Sequence, residues 1–123
     1  DIDAVTEELL KDLEAQSAVV IAEASQLPMK ALKLVDDGKG GKYLVHYFTG
    51  KGADVTPTLR QRYEKSYFRA NIIAFRPEVI RNTNSLTGER VRYHIIPQER
   101  AIDIDNPIDF FIAEQLMNKK SAR

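Results

Sequence analysis

Cysteine and tryptophan are both absent from this chain of 123 residues. Without cysteine there is no disulfide, no thiolate nucleophile and no cysteine-based zinc site. Long apolar runs are missing as well: the longest, Ala18–Ala22, is far shorter than the about 18 residues that a membrane span needs. The acidic start of the sequence is not typical of a signal or transit peptide. We therefore expect a protein of the cytoplasm, or of the inside of a virus particle, with no membrane partner.

A surplus of charge is also missing, because 18 basic residues balance 18 acidic ones. The balance is uneven along the chain. Asp1–Met29 has a net charge of −6, and Leu59–Tyr93 has a net charge of +5. A chain that is acidic at its start and basic in its middle can pair its own halves, bind a second copy of itself or bind an anionic partner.

The length is that of one domain, and we expect a single domain over residues 1–123. Hydrophobic spacing and turn residues predict three helices and four strands. One alternative stays open, since Val19, Val20 and Ile21 also fit a short strand. The predicted helices are approximately Ala4–Ala24, Pro57–Phe68 and Pro107–Asn118, and the predicted strands are Met29–Val35, Lys42–Phe48, Asn71–Arg76 and Glu89–Ile96.

This order of elements, α-β-β-α-β-β-α, predicts an α+β fold with an antiparallel sheet of about four strands and three packed helices. Asp-Gly and Gly-Gly steps within Asp36–Gly41 predict a hairpin between the first two strands. Asn106-Pro107 predicts the start of the last helix, whose inner face would carry Ile108, Phe111, Ile112 and Leu116.

Three groups of residues resemble phosphate-binding, metal-binding or catalytic sites, and we expect none of them to have that function. Gly38–Gly41 is followed by Lys42 and a strand, whereas a phosphate-binding loop opens a helix. Asp103 and Asp105 begin like a calcium loop, but the required glycine is missing. His46 and His94 lie on predicted strands with no nucleophile beside them. We therefore predict no catalytic residue, no metal, no cofactor and no small-molecule substrate, and a protein that is not an enzyme.

The basic middle of the chain is the strongest functional signal. Its arginines alternate with tyrosine and phenylalanine, a pattern that suits contacts with phosphates and bases. Four of them are predicted to line one face of a two-stranded ribbon, and the other four basic residues lie on or just after the preceding helix. The candidate residues for binding nucleic acid or another partner are Arg60, Arg62, Lys65, Arg69, Arg76, Arg81, Arg90 and Arg92. The alternative is that these side chains pair with the acidic first helix.

Three amphipathic helices have more apolar surface than we expect one small sheet to bury. The oppositely charged segments also suit a two-fold interface. The sequence therefore predicts a non-catalytic protein-binding domain that forms a homodimer or larger assembly. A structural or assembly component of a virus particle or mobile-element apparatus would fit this description. The alternative is an accessory RNA- or DNA-binding protein that uses the arginine-rich face.

Overall fold

A computed structural model describes residues 1–26, 28–52 and 64–122 of the chain. The chain divides into two compact units. The first, the sheet unit, consists of Asp1–Glu23 and Tyr67–Arg123. The second, the hairpin unit, is Ala24–Ser66.

Helix α1, Ile2–Lys11, opens the sheet unit. Val5 and Leu9, four residues apart, are buried on one side of the helix, as the spacing predicts. The helix ends where Asp12 takes an extended conformation, and the side chain of Asp12 accepts a hydrogen bond from the backbone N–H of Glu14 at 3.0 Å. Such a local bond offers the backbone an alternative to the helix. The predicted helix over Ala4–Ala24 is therefore too long.

Strand β1, Ser17–Glu23, occupies the second half of that predicted helix. The alternative interpretation of Val19, Val20 and Ile21 as a strand is confirmed. Branching at Cβ restricts these side chains in a helix and suits a pleated sheet. The strand is buried on both sides over most of its length, as expected of a central strand.

Two further strands, β4 at Tyr67–Phe75 and β5 at Val91–Ile95, complete a three-stranded sheet in the order β4-β1-β5. β1 pairs with β4 antiparallel and with β5 parallel, so the predicted purely antiparallel sheet is wrong. The β1–β4 register shifts between Val19 and Ile21. Tyr67 and Phe68 were predicted to end a helix over Pro57–Phe68 but lie in β4; residues 57–63 of that prediction lie outside the described part of the chain.

The core lies between α1 and one face of this sheet, which we call the inner face. Ala18, Val20 and Ala22 point to it from the central strand and are at most 6% exposed. Val5 and Leu9 pack on them from α1, and Ile96 from just after β5. These are mostly small side chains, so the helix can approach the sheet closely, and the core is modest in volume.

The second segment of the sheet unit contains two helices. Helix α2, Pro77–Thr83, comes directly after β4 and buries Val79. Helix α3, Pro107–Ser121, begins at the predicted Asn106-Pro107 signal and carries a full capping box between Asn106 and Asp109. Within the described residues no helix is both long enough and apolar enough to cross a membrane.

The predicted inner face of α3 does not pack against a core. Ile108 is 71% exposed, Phe111 59% and Ile112 41%, and α3 has no buried residue among those described. The helix is present as predicted, but the expectation that it packs through these side chains is wrong. The description that fits the chain is a mixed α+β fold with three helices and five strands in two sheets, counted over the described residues.

The hairpin unit contains the second sheet, in which β2, Leu32–Asp36, pairs antiparallel with β3, Lys42–His46. The predicted hairpin is confirmed, although β2 starts later than Met29 because Pro28–Lys30 forms a 3₁₀ turn. Asp37 organises the connection by accepting hydrogen bonds from the backbone N–H groups of Lys39 and Gly41. Gly40, at φ +85°, supplies the left-handed conformation that this loop needs.

Candidate interaction surface

The face of the three-stranded sheet that points away from α1 is the largest apolar surface that the sheet unit leaves open. Residues that pair across strands point to the same side of a sheet. Val19 pairs with Ile73 and Tyr93, and Ile21 pairs with Arg69 and Ile95. We call this side the outer face. Its residues are Tyr67, Arg69, Ile73 and Phe75 on β4, Val19, Ile21 and Glu23 on β1, and Val91, Tyr93 and Ile95 on β5.

The outer face is open mainly along its two edge strands, because Val19 on the central strand is only 8% exposed and Ile21 is half-buried. Tyr93 is 54% exposed and Ile95 47%, while Tyr67 and Phe75 are each about 40% exposed. One end of the face is closed, because Ser17 is fully buried and its hydroxyl donates to the carbonyl of Thr87 at 2.7 Å. The exposed surface is therefore bounded at the Ser17 end by the loop after α2 and lies mainly on β4 and β5.

Strand β5 explains how the sequence produces two such different faces. Its residues alternate, with Val91, Tyr93 and Ile95 on the outer face, and with Arg92 and His94 on the inner side. The sequence predicts this alternation correctly. An alternating strand usually buries its apolar side, so the sequence alone would place Val91, Tyr93 and Ile95 in the core. The core is on the other side, and the apolar side is left exposed.

A second polar cluster lies on the inner side, where α1 ends. The carboxylate of Asp12 accepts hydrogen bonds from the guanidinium groups of Arg90 at 3.1 Å and Arg92 at 2.8 Å. Arg90 also lies 3.4 Å from the carboxylate of Glu14. Desolvation acts to raise the pKa of Asp12, but the hydrogen bonds from Arg92, from the Glu14 backbone and from Arg90 outweigh it and leave the pKa lowered.

Arg76 completes this cluster by a different kind of contact. Its guanidinium donates to the backbone carbonyls of Leu9 and Ala15 at 3.0 Å and of Asp12 at 3.3 Å. The last carbonyls of a helix have no partner within the helix, and they attract a positive charge. Arg76, the residue directly after β4, thus holds the end of α1 against the end of that strand.

The candidate basic residues of the sheet unit therefore do not form one face. β1 lies between β4 and β5, so the predicted two-stranded ribbon is wrong. Arg76, Arg90 and Arg92 meet at the end of α1, Arg69 belongs to the outer face, and Arg81 is exposed on α2. Lys65 belongs to the hairpin unit, and Arg60 and Arg62 lie outside the described residues.

Two of the candidate metal ligands, His46 and Asp103, have local partners. His46 accepts hydrogen bonds through Nδ1 from the backbone N–H groups of Phe48 and Thr49, within the turn after β3. Asp103 accepts a hydrogen bond from the side chain of Asn71 at 3.1 Å. His46 and His94 belong to different units. Over the described ranges, no three acidic, histidine or cysteine side chains are grouped so as to hold a metal ion.

Comparison with known protein families and with curated proteins finds no match to this chain. The candidate surface consequently rests on its own geometry and chemistry.

Proposed function

We propose that the chain is a non-catalytic protein-binding module that assembles with itself through the outer face of its sheet. The observation that supports this proposal best is that Tyr67 and Phe75 on β4 and Tyr93 and Ile95 on β5 are all exposed on the same face of one sheet. Scattered apolar side chains are normal on a protein surface, whereas a contiguous patch marks an interaction site.

The composition of the face favours a protein partner. Aromatic residues are enriched in the centres of protein interfaces, and charged residues are depleted there. The outer face carries two charged residues, Arg69 and Glu23, and both lie toward the end of β1 away from Ser17. Tyrosine also contributes much contact area for little loss of side-chain freedom.

Charge also disfavours nucleic acid as the partner of this face. The sheet unit contains ten basic and fourteen acidic residues, a net charge of −4. Nucleic-acid binding depends on neutralising phosphates, and a unit with a net negative charge repels them. Three of the arginines in the unit already contact the end of α1.

Substitutions on the outer face test the proposal. Tyr93→Thr and Ile95→Thr place β-branched side chains, which suit a strand, at both positions and remove apolar contact area. Truncation of a central interface residue costs about 2 kcal/mol or more, which weakens the dissociation constant about 30-fold. The double variant should therefore be monomeric, by light scattering, at concentrations where the unmodified chain assembles.

Leu13→Thr is the matched control, because Leu13 is 87% exposed and lies after α1, on the other side of the sheet. This variant should assemble like the unmodified chain. Equal masses for the outer-face variant and the unmodified chain would refute the proposal, provided that both give the same circular dichroism spectrum.

A second candidate function is the binding of an RNA or DNA strand, and the charge of the hairpin unit favours it. This unit has eight basic and four acidic residues, a net charge of +4. Its exposed aromatic side chains include Tyr43 and Tyr47, and the ammonium group of Lys33 lies 5.6 Å from the centre of the Tyr47 ring. Exposed rings beside basic groups suit base stacking combined with phosphate contacts.

Salt dependence distinguishes this candidate from the first. Each phosphate contact adds a slope of about 0.7 to 0.9 to the log–log plot of affinity against salt. If the hairpin binds, Lys33→Gln with Lys42→Gln should reduce the slope by about one to two. Arg90→Gln with Arg92→Gln removes the same charge from the end of α1. If only the Arg90→Gln, Arg92→Gln variant reduces the slope, the arginines and not the hairpin bind the nucleic acid. If the unmodified chain binds no RNA or DNA, this second candidate function is refuted.

A further inference from the structure

Strand β5 lies at one edge of the three-stranded sheet, and among the described residues it pairs with β1 alone. The N–H of Gln16 donates to the carbonyl of Arg90, and the N–H of Ile96 donates to the carbonyl of Ile21, both at 2.9 Å. Successive residues of an extended strand direct their backbone groups to opposite edges. The even-numbered residues therefore bond to β1. The backbone groups that face away from β1 belong to Val91, Tyr93 and Ile95.

This outward edge of β5 is open to a further strand. Within the described ranges, the N–H and C=O groups of Val91, Tyr93 and Ile95 have no backbone partner. The side chains of the same three residues are exposed. A row of unpaired donors and acceptors on an exposed edge is a template for pairing with another strand.

The other edge of the sheet, β4, is less suited to such pairing. Ala70, Asn71 and Ile72 of β4 lie opposite the single residue Val20, where the register shifts. Extra residues of this kind bend an edge strand and disrupt its regular ladder. The register of β5 has no shift, and the strand contains neither proline nor lysine, two residues that block edge pairing. Of the two edges, β5 is the one that can accept a strand along its whole length.

We propose that β5 pairs with β5 of a second copy, antiparallel and about a two-fold axis at Tyr93. This inference rests on the proposed self-assembly and identifies the strand through which it occurs. Tyr93 then faces the second copy's Tyr93, and Val91 faces the second copy's Ile95. These are the residues whose backbone groups point outward, so each N–H and C=O group on the edge of β5 gains a partner. Two three-stranded sheets join into one continuous sheet.

The side chains favour this register over its neighbours. On the outer face, apolar and aromatic side chains meet one another, and such cross-strand pairs stabilise a sheet. On the inner side, Arg92 lies opposite the second copy's His94. A shift by two residues in one direction would place Arg92 opposite Arg92, and like charges directly opposite each other are destabilising. A shift in the other direction would place Val91 opposite Pro97, which has no N–H to donate.

The size of this contact predicts its strength. A contact between two strands of five residues lies at the low end of interface sizes, where complexes are weak. The dimer should therefore dissociate on dilution.

Disulfide trapping tests the register, because the chain contains no cysteine of its own. Directly opposite residues of a hydrogen-bonded antiparallel pair have Cα atoms about 5.5 Å apart, which a disulfide can span. Tyr93→Cys, oxidised with diamide where the unmodified chain assembles, should form a covalent homodimer. Val91→Cys should form one about tenfold more slowly, because its two copies lie about 13 Å apart along the strands and are not held within reach.

A mixture of two variants checks the same register without changing Tyr93. Val91→Cys mixed with affinity-tagged Ile95→Cys should form a covalent heterodimer as fast as Tyr93→Cys forms its homodimer. Phe75→Cys is the matched control, since Phe75 is exposed on the same outer face but lies on β4. It should cross-link no faster than Val91→Cys alone.

A backbone variant tests the role of the edge hydrogen bonds. Tyr93→Pro removes an N–H that points away from β1, and proline is tolerated on an edge strand in that position. Tyr93→Thr removes the same ring but keeps the N–H. Two hydrogen bonds are lost per dimer in the proline variant, so it should associate about tenfold or more weakly than the threonine variant.

The outcomes separate this inference from the proposed function. If the unmodified chain assembles but residues 75, 91 and 93 cross-link at equal rates, self-assembly stands and β5 pairing is refuted. Fastest cross-linking of Phe75→Cys would place the contact elsewhere on the outer face and would also refute β5 pairing. A monomeric unmodified chain would refute both.

Discussion

Arg76 joins parts of the chain that lie more than 60 residues apart in sequence, and it does so through backbone carbonyls. Replacing it with methionine keeps most of the length of the side chain and removes the guanidinium. The carbonyls of Leu9, Asp12 and Ala15 would then lose a part-buried partner, and an unsatisfied group costs about 1–3 kcal/mol. We expect Arg76→Met to lower the free energy of unfolding by that amount in urea denaturation.

Arg81→Met is the control for Arg76→Met. Arg81 is exposed on α2, and surface substitutions of this kind usually stay within about 0.5 kcal/mol. Equal effects of the two substitutions would show that Arg76 does not stabilise the end of α1.

Asp12 gives a prediction for the pH dependence of stability. Its pKa is below the usual 3.8, because desolvation, which raises it, is outweighed by the hydrogen bonds from Arg92, the Glu14 backbone and Arg90. The folded state therefore favours the ionised carboxylate. The contribution of Asp12 is present above the unfolded-state pKa of about 3.9 and is lost as the pH falls through the lower folded-state value.

Urea unfolding of the unmodified chain and of Asp12→Asn checks this sign. The unmodified chain should be more stable at neutral pH, and its advantage should shrink as the pH falls below about 4. Added salt should also reduce it, because the ion pairs are partly exposed. An advantage that stays constant through the acid range, or grows, would contradict this account of Asp12.

Among the elements, α3 should unfold independently of the core. Its cap gives a specific test, since replacing a capping asparagine with alanine costs about 1 kcal/mol, or about fivefold in the opening equilibrium. In Asn106→Ala, the amides of α3 should exchange with deuterium about fivefold faster while those of β1 are unchanged. The exchange should be measured at protein concentrations too low for assembly.

Asn118→Ala removes the same side chain from the same helix without touching its cap. It should leave exchange in α3 unchanged or slightly slower, because alanine is the better helix former. Faster exchange in β1 as well as α3 in the capping variant would contradict independent unfolding.

Local signals account for the elements that the sequence predicts well. Asp37 and the glycines after it define the hairpin loop, and Asn106-Pro107 defines the start of α3. The region of Ser17–Glu23 is less clear, because Val19, Val20 and Ile21 continue an apolar pattern that suits either a helix or a strand. There the choice depends on pairing with β4 and β5, which are far away in the sequence.

The candidate surface was predictable only in part, for a related reason. Alternation in β5 shows that Val91, Tyr93 and Ile95 share a side, but it does not show which side α1 covers. The number of arginines in the middle of the chain predicted a binding face there. In the structure, Arg76, Arg90 and Arg92 instead contact the end of α1. Both outcomes depend on parallel pairing of β1 with β5, which no local pattern encodes.

At the scale of the whole molecule, a balanced total charge conceals a sheet unit of −4 and a hairpin unit of +4. The sheet unit leaves apolar side chains such as Tyr93 and Ile95 exposed on the outer face of its sheet. The central claim is the proposal that self-assembly removes these side chains from water.

The mass of the unmodified chain in solution tests that claim most directly. In sedimentation equilibrium from submicromolar to high micromolar concentration, the mass should rise from 14.0 kDa toward at least twice that value. Moderate salt should affect the transition little, because the contact is mainly apolar. A constant mass of 14.0 kDa over the whole range would contradict the account.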